Sequence, residues 1–418
     1  MFSPLNFRIA FFLATRQLRR SSKWTNSLIV FVMILTFLNL VIVSGILVGL
    51  IQGAIEAVRE QYTSDVIISN LNTETYIEYS PDIIRTVESL PQVDALSARY
   101  VSGSTLEANY KSRTDPNEKP NTAGAQIAGI DPVAEDELTG LSRWIIEGEY
   151  LQPGDYDQIL LGSYLIKKYI PVDNPGFSAL DDVGPGSKIR IQIGNVEREV
   201  TVKGILKSKV DEVSFKAYMV DSQLRGMIGR NDFNVDEIAI RLKPGSDPVV
   251  VRDTLLRNGV GTYAKVQTSA DAQPKFIKDI RDTFALLGNM ISSIGLVVAS
   301  ITIFIVIFIN ALTRRKFIGI LKGIGINGQA IELSYVMQSI FYAFIGSAIG
   351  FILLYAFLQP FVARHPIDFP FSDGILVAPL SGTLLRISLL VVATIIAGYI
   401  PARMIVRKNT LDSILGRK

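Results

Sequence analysis

Cysteine is absent from the 418 residues, and histidine occurs once, at His365. Without a thiol there is no disulfide framework, no Cys-ligated zinc or iron–sulfur centre, no thiol nucleophile and no lipid-bearing cysteine. A single imidazole excludes a His-rich metal site and a proton relay of several imidazoles. The Gly-rich phosphate loop G-x-x-x-x-G-K-[ST] is missing, as are the G-x-S-x-G elbow and the H-E-x-x-H pair. Carboxylates are plentiful, but Asp181, Asp182 and the run Glu135-Asp136-Glu137 stand in polar stretches where a solvated loop is the plainer reading. The expectation is a non-enzymatic chain with no metal, no cofactor of its own and no nucleic-acid partner, the net charge being only +3.

Apolar residues are what the chain has in excess: 48% of it is hydrophobic and 19% charged, with a mean hydropathy of +0.31, on the lipid side of soluble proteins. They are gathered into long runs. The 32 residues between Lys23 and Glu56 carry no charge, and 28–52 is long enough to cross a bilayer, which takes about 20 residues. Further uncharged runs cover 283–313 and 333–359, the latter left at Pro360, and a shorter one covers 380–400, opened by Pro379, stopped near Pro401 and interrupted by Arg386. A cleaved signal peptide is the bland alternative for the first run. Its apolar stretch exceeds the usual span of about 7–15 residues, and no A-x-A-like site follows, so an anchor is expected.

Orientation follows from Lys and Arg in the short connections. Arg8, Arg16, Arg19, Arg20 and Lys23 precede the first span; Arg314, Arg315, Lys316 and Lys322 lie between the second and third; Arg403, Arg407, Lys408, Arg417 and Lys418 follow the fourth. Only Glu332 and Asp412 oppose them there. These segments are expected in the cytoplasm, with both termini inside, the chain multi-pass in the plasma (inner) membrane, and 53–281 and 360–379 outside. Within 1–27, Arg16, Arg19, Arg20 and Lys23 recur at helical steps beside Ile9, Phe12, Leu13 and Leu18, the pattern of an amphipathic helix on the lipid surface. The membrane interior offers only Asn39, Asn289, Asn310 and Gln338 as polar groups, too few for a charged pathway.

The outer stretch has the turn spacing of a folded α/β unit. Asp65 to Ser69 suits a strand, and Ser80-Pro81-Asp82 a helix start with Ser80 as cap, Ile83, Ile84, Val87 and Leu90 sharing a face. Lys188 to Ile193 and Glu199 to Leu206 alternate around Gly194-Asn195, a hairpin pattern. Strand, helix and strand recur at 237–242, 248–257 and 262–267, and Lys111 to Asn121 is a polar loop. The fold class expected is an α+β membrane protein: four transmembrane helices with a large extracytoplasmic α/β domain between the first and second. Gly45, Gly49 and Gly53 in the first span, and Gly346 and Gly350 in the third, repeat at four-residue steps that let helix backbones approach, and suggest a dimer.

The segment from Thr313 to Ile331 (TRRKFIGILKGIGINGQAI) closely resembles the RRREIGILKAIGAS signature of FtsX-like ABC transporter permeases with a MacB-type periplasmic core domain, the MacB and LolC–LolE group. Arg314, Arg315, Gly319, Ile320, Leu321, Lys322 and Gly325 match, while Phe317 replaces the usual Glu and Gly323 the common Ala. Tyr399 to Arg403 with Leu411 to Leu415 resembles the family's tail, Ala14 to Arg20 its start, and Gly129 to Pro132 with Ile159 to Gly162 its outer domain. The resemblance implies that Arg314, Arg315, Lys316, Phe317, Gly319, Ile320, Leu321, Lys322 and Gly325, within 314–331, seat on a separate cytoplasmic ABC ATPase that binds ATP and Mg. It implies a second permease copy, identical or closely related, and an extracytoplasmic adaptor or lipoprotein as further partner. It also implies an outer domain with an α/β portion at about 57–130 and 233–280 around a β-rich insert at about 131–232. Two functions stay open: ATP-driven export or lipoprotein release, and FtsX-like signalling that activates a cell-wall hydrolase.

Overall fold

A computed structural model describes residues 4–111, 119–170, 178–273, 275–369 and 372–407. The tail motif Leu411 to Leu415 and the centre of the Lys111 to Asn121 loop lie outside them. The chain divides into a helical unit (1–52, 278–368 and 373–418) and an α/β unit (53–277 with 369–372).

Among the described residues, four helices are long and apolar enough to cross a membrane. TM1 is Lys23–Val58, carried on by one π turn, Arg59–Thr63; TM2 is Lys275–Thr313; TM3 is Gly328–Ile352; TM4 is Leu380–Val406. Each outruns its apolar core, because helical hydrogen bonding does not stop where hydrophobicity does. Pro360 does not end the third span: π turns at Leu353–Leu358 lead into Gln359–Arg364, where proline sits in the first turn and its missing N–H costs nothing. Pro401 likewise lies buried inside TM4, whose last turn is held by Ala402, Ile405 and Val406 in the bundle core. The amino-terminal helix Pro4–Arg20 is set off by Ser21 and Ser22 and packs along TM3. There Gln338 Nε2 donates to Gln17 Oε1 at 2.5 Å, and just beyond, Tyr342 OH donates to Asn26 Oδ1 of TM1 at 2.7 Å.

In the α/β unit the strands are β1 Val66–Asn70, β2 Val93–Ala108, β3 Asn121–Ile130, β4 Ile145–Gly148, β5 Gln158–Gly162, β6 Lys188–Ile193, β7 Val196–Leu206, β8 Lys216–Val220, β9 Glu237–Leu242 and β10 Ala264–Thr268. β10, β1, β9 and the first half of β2 form an antiparallel sheet, with helices Ser80–Glu88 and Pro248–Arg257 in the β1–β2 and β9–β10 connections, the split β-α-β arrangement. The second half of β2 pairs with β3 and with β6, and the path β3, β8, β5, β7, β6 returns to β2, closing six strands on themselves; β4 adds to β7. Closure removes the unpaired edges that a strand-rich insert otherwise exposes. The division between the two lobes therefore falls inside β2, at Arg99 and Tyr100, and not at residue 130: a single 16-residue strand serves both sheets. The hairpin at Gly194-Asn195 is present, with Ile193 opposite Val196 and Gly194 at φ +55°. Ser80 is the first helical residue and not the cap, because its hydroxyl bonds back to the Ile77 carbonyl at 2.5 Å and receives Val235 N–H at 3.1 Å.

Candidate functional site

Between TM2 and TM3 the matched motif forms its own helix, Arg315–Gly323. Arg314 breaks from TM2, and Gly325, at φ +91°, turns the chain toward TM3 in a conformation that suits glycine. The five apolar residues of this segment, Phe317, Ile318, Ile320, Leu321 and Ile324, divide between two faces. Ile318 is buried and Leu321 packs half-buried against the bundle, whereas Phe317, Ile320 and Ile324 remain 64%, 52% and 70% exposed. Their steps of three and four place them on one outward stripe, beside the half-buried Arg314 and Arg315 and the exposed Lys316. Gly319 is buried with Ile318, so the helix's small residue faces the bundle. Lys322 Nζ donates to the Val406 carbonyl at 2.6 Å, tying this helix to the last turn of TM4. A Cβ at Gly323 meets nothing within 4 Å, so the departure from Ala there leaves the packing intact.

The glycine faces are occupied by the chain itself. A Cβ at Gly45 would lie 2.8 Å from the Val377 carbonyl oxygen, and one at Gly49 would run into the Ile375 carbonyl. Gly45 and Gly49 are thus filled from within the chain and do not form the face toward a second copy that the sequence suggested; Gly53, two turns on, is half-buried. Gly346 and Gly350 receive Met33 and Phe37 of TM1. Three further glycines stand at close approaches that no repeat marks: a Cβ at Gly288 would lie 3.0 Å from Ser44 Cα, one at Gly295 2.5 Å from Asn39 Oδ1, and one at Gly398 would meet Ser339. A lone glycine does not signal in sequence as a repeat does. The charge inside TM4 is also used in packing, Arg386 Nη2 donating to Ser44 Oγ at 2.7 Å.

The FtsX-like permease C-terminal family matches residues 289–410, which hold most of TM2, the Arg315–Gly323 helix, TM3 and TM4. Over those residues the chain is similar to FtsX-like permeases. It is 25% identical over 240 residues to a macrolide export ATP-binding/permease protein, MacB 1, of Yersinia pestis bv. Antiqua, an alignment covering 54% of this chain and 34% of that one. It is 22% identical over 255 residues to an uncharacterized ABC transporter permease of Methanocaldococcus jannaschii, covering 58% of this chain and 63% of that one. The chain thus spans about a third of the length of the first of these relatives. The periplasmic region of MacB from Actinobacillus actinomycetemcomitans superposes with a TM-score of 0.36 at 16% identity, over 51% of this chain and 92% of that one.

The α/β unit holds a buried charge cluster that the sequence pattern does not reveal. Arg99 and Glu135 are each 2% exposed, and Arg99 Nε and Nη2 donate to the two Glu135 oxygens at 2.8 and 2.7 Å. Arg99 Nη1 donates to the Tyr62 carbonyl at 2.9 Å and lies 3.6 Å from Glu237 Oε2. Tyr62 OH donates to Glu237 Oε1 at 2.7 Å and accepts from Lys216 Nζ at 2.8 Å. Glu135 is therefore no solvated loop residue: Asp131 caps helix Pro132–Thr139, taking Val133 and Ala134 N–H, with proline in the first turn, and that aims Glu135 inward. Asp131-Pro132 was the available signal. Burial pushes the Glu237 carboxyl up, but the charges of Lys216 and Arg99 and the Tyr62 hydrogen bond outweigh it and hold the group below its usual range. One cluster joins the π turn after TM1 (Tyr62), both halves of β2 (Arg99), β8 (Lys216) and β9 (Glu237).

Proposed function

We propose that this chain is the membrane subunit through which a separate cytoplasmic ABC ATPase, binding ATP and Mg, moves an extracytoplasmic domain for export or lipoprotein release. One observation carries the reading: the Phe317, Ile320 and Ile324 stripe stays exposed just past the membrane boundary marked by Arg314, Arg315 and Lys316. Apolar side chains of this size are worth about 1.5–3 kcal/mol each when taken from water, so an uncovered stripe on a short helix suits a partner. Lys322 and Leu321 link that helix to the bundle, so force on the stripe reaches TM4. The large two-lobed outer unit favours transport over the hydrolase-activating alternative.

The proposal is tested by co-expressing the permease with its cognate ATPase. Ile320→Asp with Ile324→Asp should abolish co-purification and stimulation of ATP hydrolysis while membrane insertion persists, because charge would be buried without a partner. Retention of both in the double variant refutes the docking role. Leu321 is unsuited to this test, since it also supports the bundle.

A second copy is proposed against TM2. Leu287, Ile291, Ile294, Val298, Ile301 and Ile305 are exposed and alternate at four- and three-residue steps, the seam of paired helices.

A further inference from the structure

Just ahead of TM4 the backbone forms neither helix nor strand. This strap, residues 375–379, buries Leu376 and Ala378 in the helical core and lies against TM1 from Gly45 to Gly49, within the apolar span. Non-helical backbone beside a membrane helix must find partners for its polar groups. Val377 N–H donates to the Gly45 carbonyl at 3.2 Å, and the Ala378 carbonyl accepts from Tyr355 OH at 2.9 Å. The carbonyls of Val377 and Ile375 close onto Gly45 and Gly49, where a Cβ would collide with them. The strap thus uses two glycines of a row of three, since Gly53 follows at the same four-residue step. The TM3 side of TM1 repeats as well: Gly346 and Gly350 receive Met33 and Phe37, and the buried Val41 stands one step further on.

We propose that TM1 has two registers in the bundle, the one described and a second in which it is displaced by one turn toward its amino end. That step is about 6 Å along the axis with about 40° of rotation. Val377 and Ile375 then meet Gly49 and Gly53, and Phe37 and Val41 meet Gly346 and Gly350. Small residues stand where small residues are needed in both registers, and Val377 N–H exchanges one glycine carbonyl for the next. The opposite step is closed, because it brings the side chain of Val41 onto the Val377 carbonyl. Packed elements change register in such discrete turns. Arg386 is the latch of the first register: it donates to Ser44 Oγ at 2.7 Å, and Val48 takes the place of Ser44 in the second. TM1 runs on as one helix to Thr63, so the step is delivered to the start of the α/β unit. Its drive rests on the ATPase reading above.

The Cys-free chain is spin-labelled at Leu28→Cys in TM1 and Phe357→Cys after TM3, both exposed, and the distance between the labels is measured by pulsed electron resonance. In the complex with the ATPase, trapping ATP should add a population lengthened by up to about 6 Å. In the chain alone, Ser44→Ala should add the same population without ATP. Gly53→Leu should abolish it while membrane insertion and co-purification of the ATPase persist; a longer distance that survives Gly53→Leu overturns the proposal. Should Gly53→Leu fail to fold, the other variants decide. A complex that forms and hydrolyses ATP at an unchanged distance overturns the two registers and leaves the docking reading standing. If no complex forms, the docking reading falls, and an unchanged distance in Ser44→Ala alone overturns the registers.

Discussion

Arg99 shows what a single residue can hold together. Its guanidinium satisfies both oxygens of Glu135 and the carbonyl of Tyr62, so replacing it with Met leaves a buried carboxylate without that counter-charge, held by the hydroxyls of Ser97 and Thr139. Arg99→Met should lower the stability of the α/β unit by about 3–5 kcal/mol, read as a shift of its denaturant midpoint. Arg99→Met with Glu135→Leu should recover much of that loss. If the single variant melts as the parent does, the cluster does not hold the unit together. Glu237 makes the same cluster sensitive to acid. Its carboxyl is held below the ordinary glutamate range, so on acidification the unfolded chain takes up this proton first. The stabilisation is complete above the ordinary value of about 4.3 and is lost as pH falls toward and through the lower folded value. Glu237→Gln should flatten the pH dependence of unfolding in that window; an unchanged slope would assign it to other carboxylates. Such inward charges were hidden in sequence because Arg99 and Glu135 stand 36 residues apart and gain meaning only when β2 meets helix Pro132–Thr139.

Among the elements, the spans were legible from charge-free length and the β6–β7 hairpin from its alternation and Gly194-Asn195. Helix ends were not, since hydrophobicity marks where lipid stops and hydrogen bonding carries TM1 on through Thr63. The glycine repeats were legible as close approaches, but their occupants were not: nothing local tells whether a small residue admits a neighbouring copy or, as at Gly45, the chain's own Val377. Gly346→Leu should therefore destabilise the helical unit itself, by about 1–3 kcal/mol or more through overpacking against Met33, seen as earlier loss of helix on heating in detergent. A variant as heat-stable as the parent would mean that TM1 and TM3 do not rely on this approach. The contact proposed for a second copy lies on the exposed stripe of TM2 instead. In this cysteine-free chain Ile294→Cys should form a disulfide-linked dimer in native membranes, whereas Ile303→Cys, buried in the bundle, should not. Equal crosslinking at both positions would remove TM2 from the proposed contact.

For the whole molecule, the distribution of Lys and Arg in the short connections predicts the topology: the α/β unit outside, Arg315–Gly323 in the cytoplasm. An impermeant maleimide on intact cells should label Asn195→Cys, in an exposed turn, and spare Gln329→Cys; the opposite pattern would invert the orientation. What sequence could not convey was the sharing of β2 between two sheets, because both halves of a strand read alike until their partners are known.

That sharing sets an order of assembly. β1 and β2 precede β9 and β10 in the chain, and alone they lack the neighbours that complete their sheet. The strands from the second half of β2 to β8 are contiguous in the chain and can close on themselves first. Once they do, β9 re-emerges beside the first half of β2, and a loop of well over a hundred residues becomes, in entropic terms, a short tether. The inserted lobe acts as a clasp fastened during synthesis, so that the last strands to arrive find their places already set.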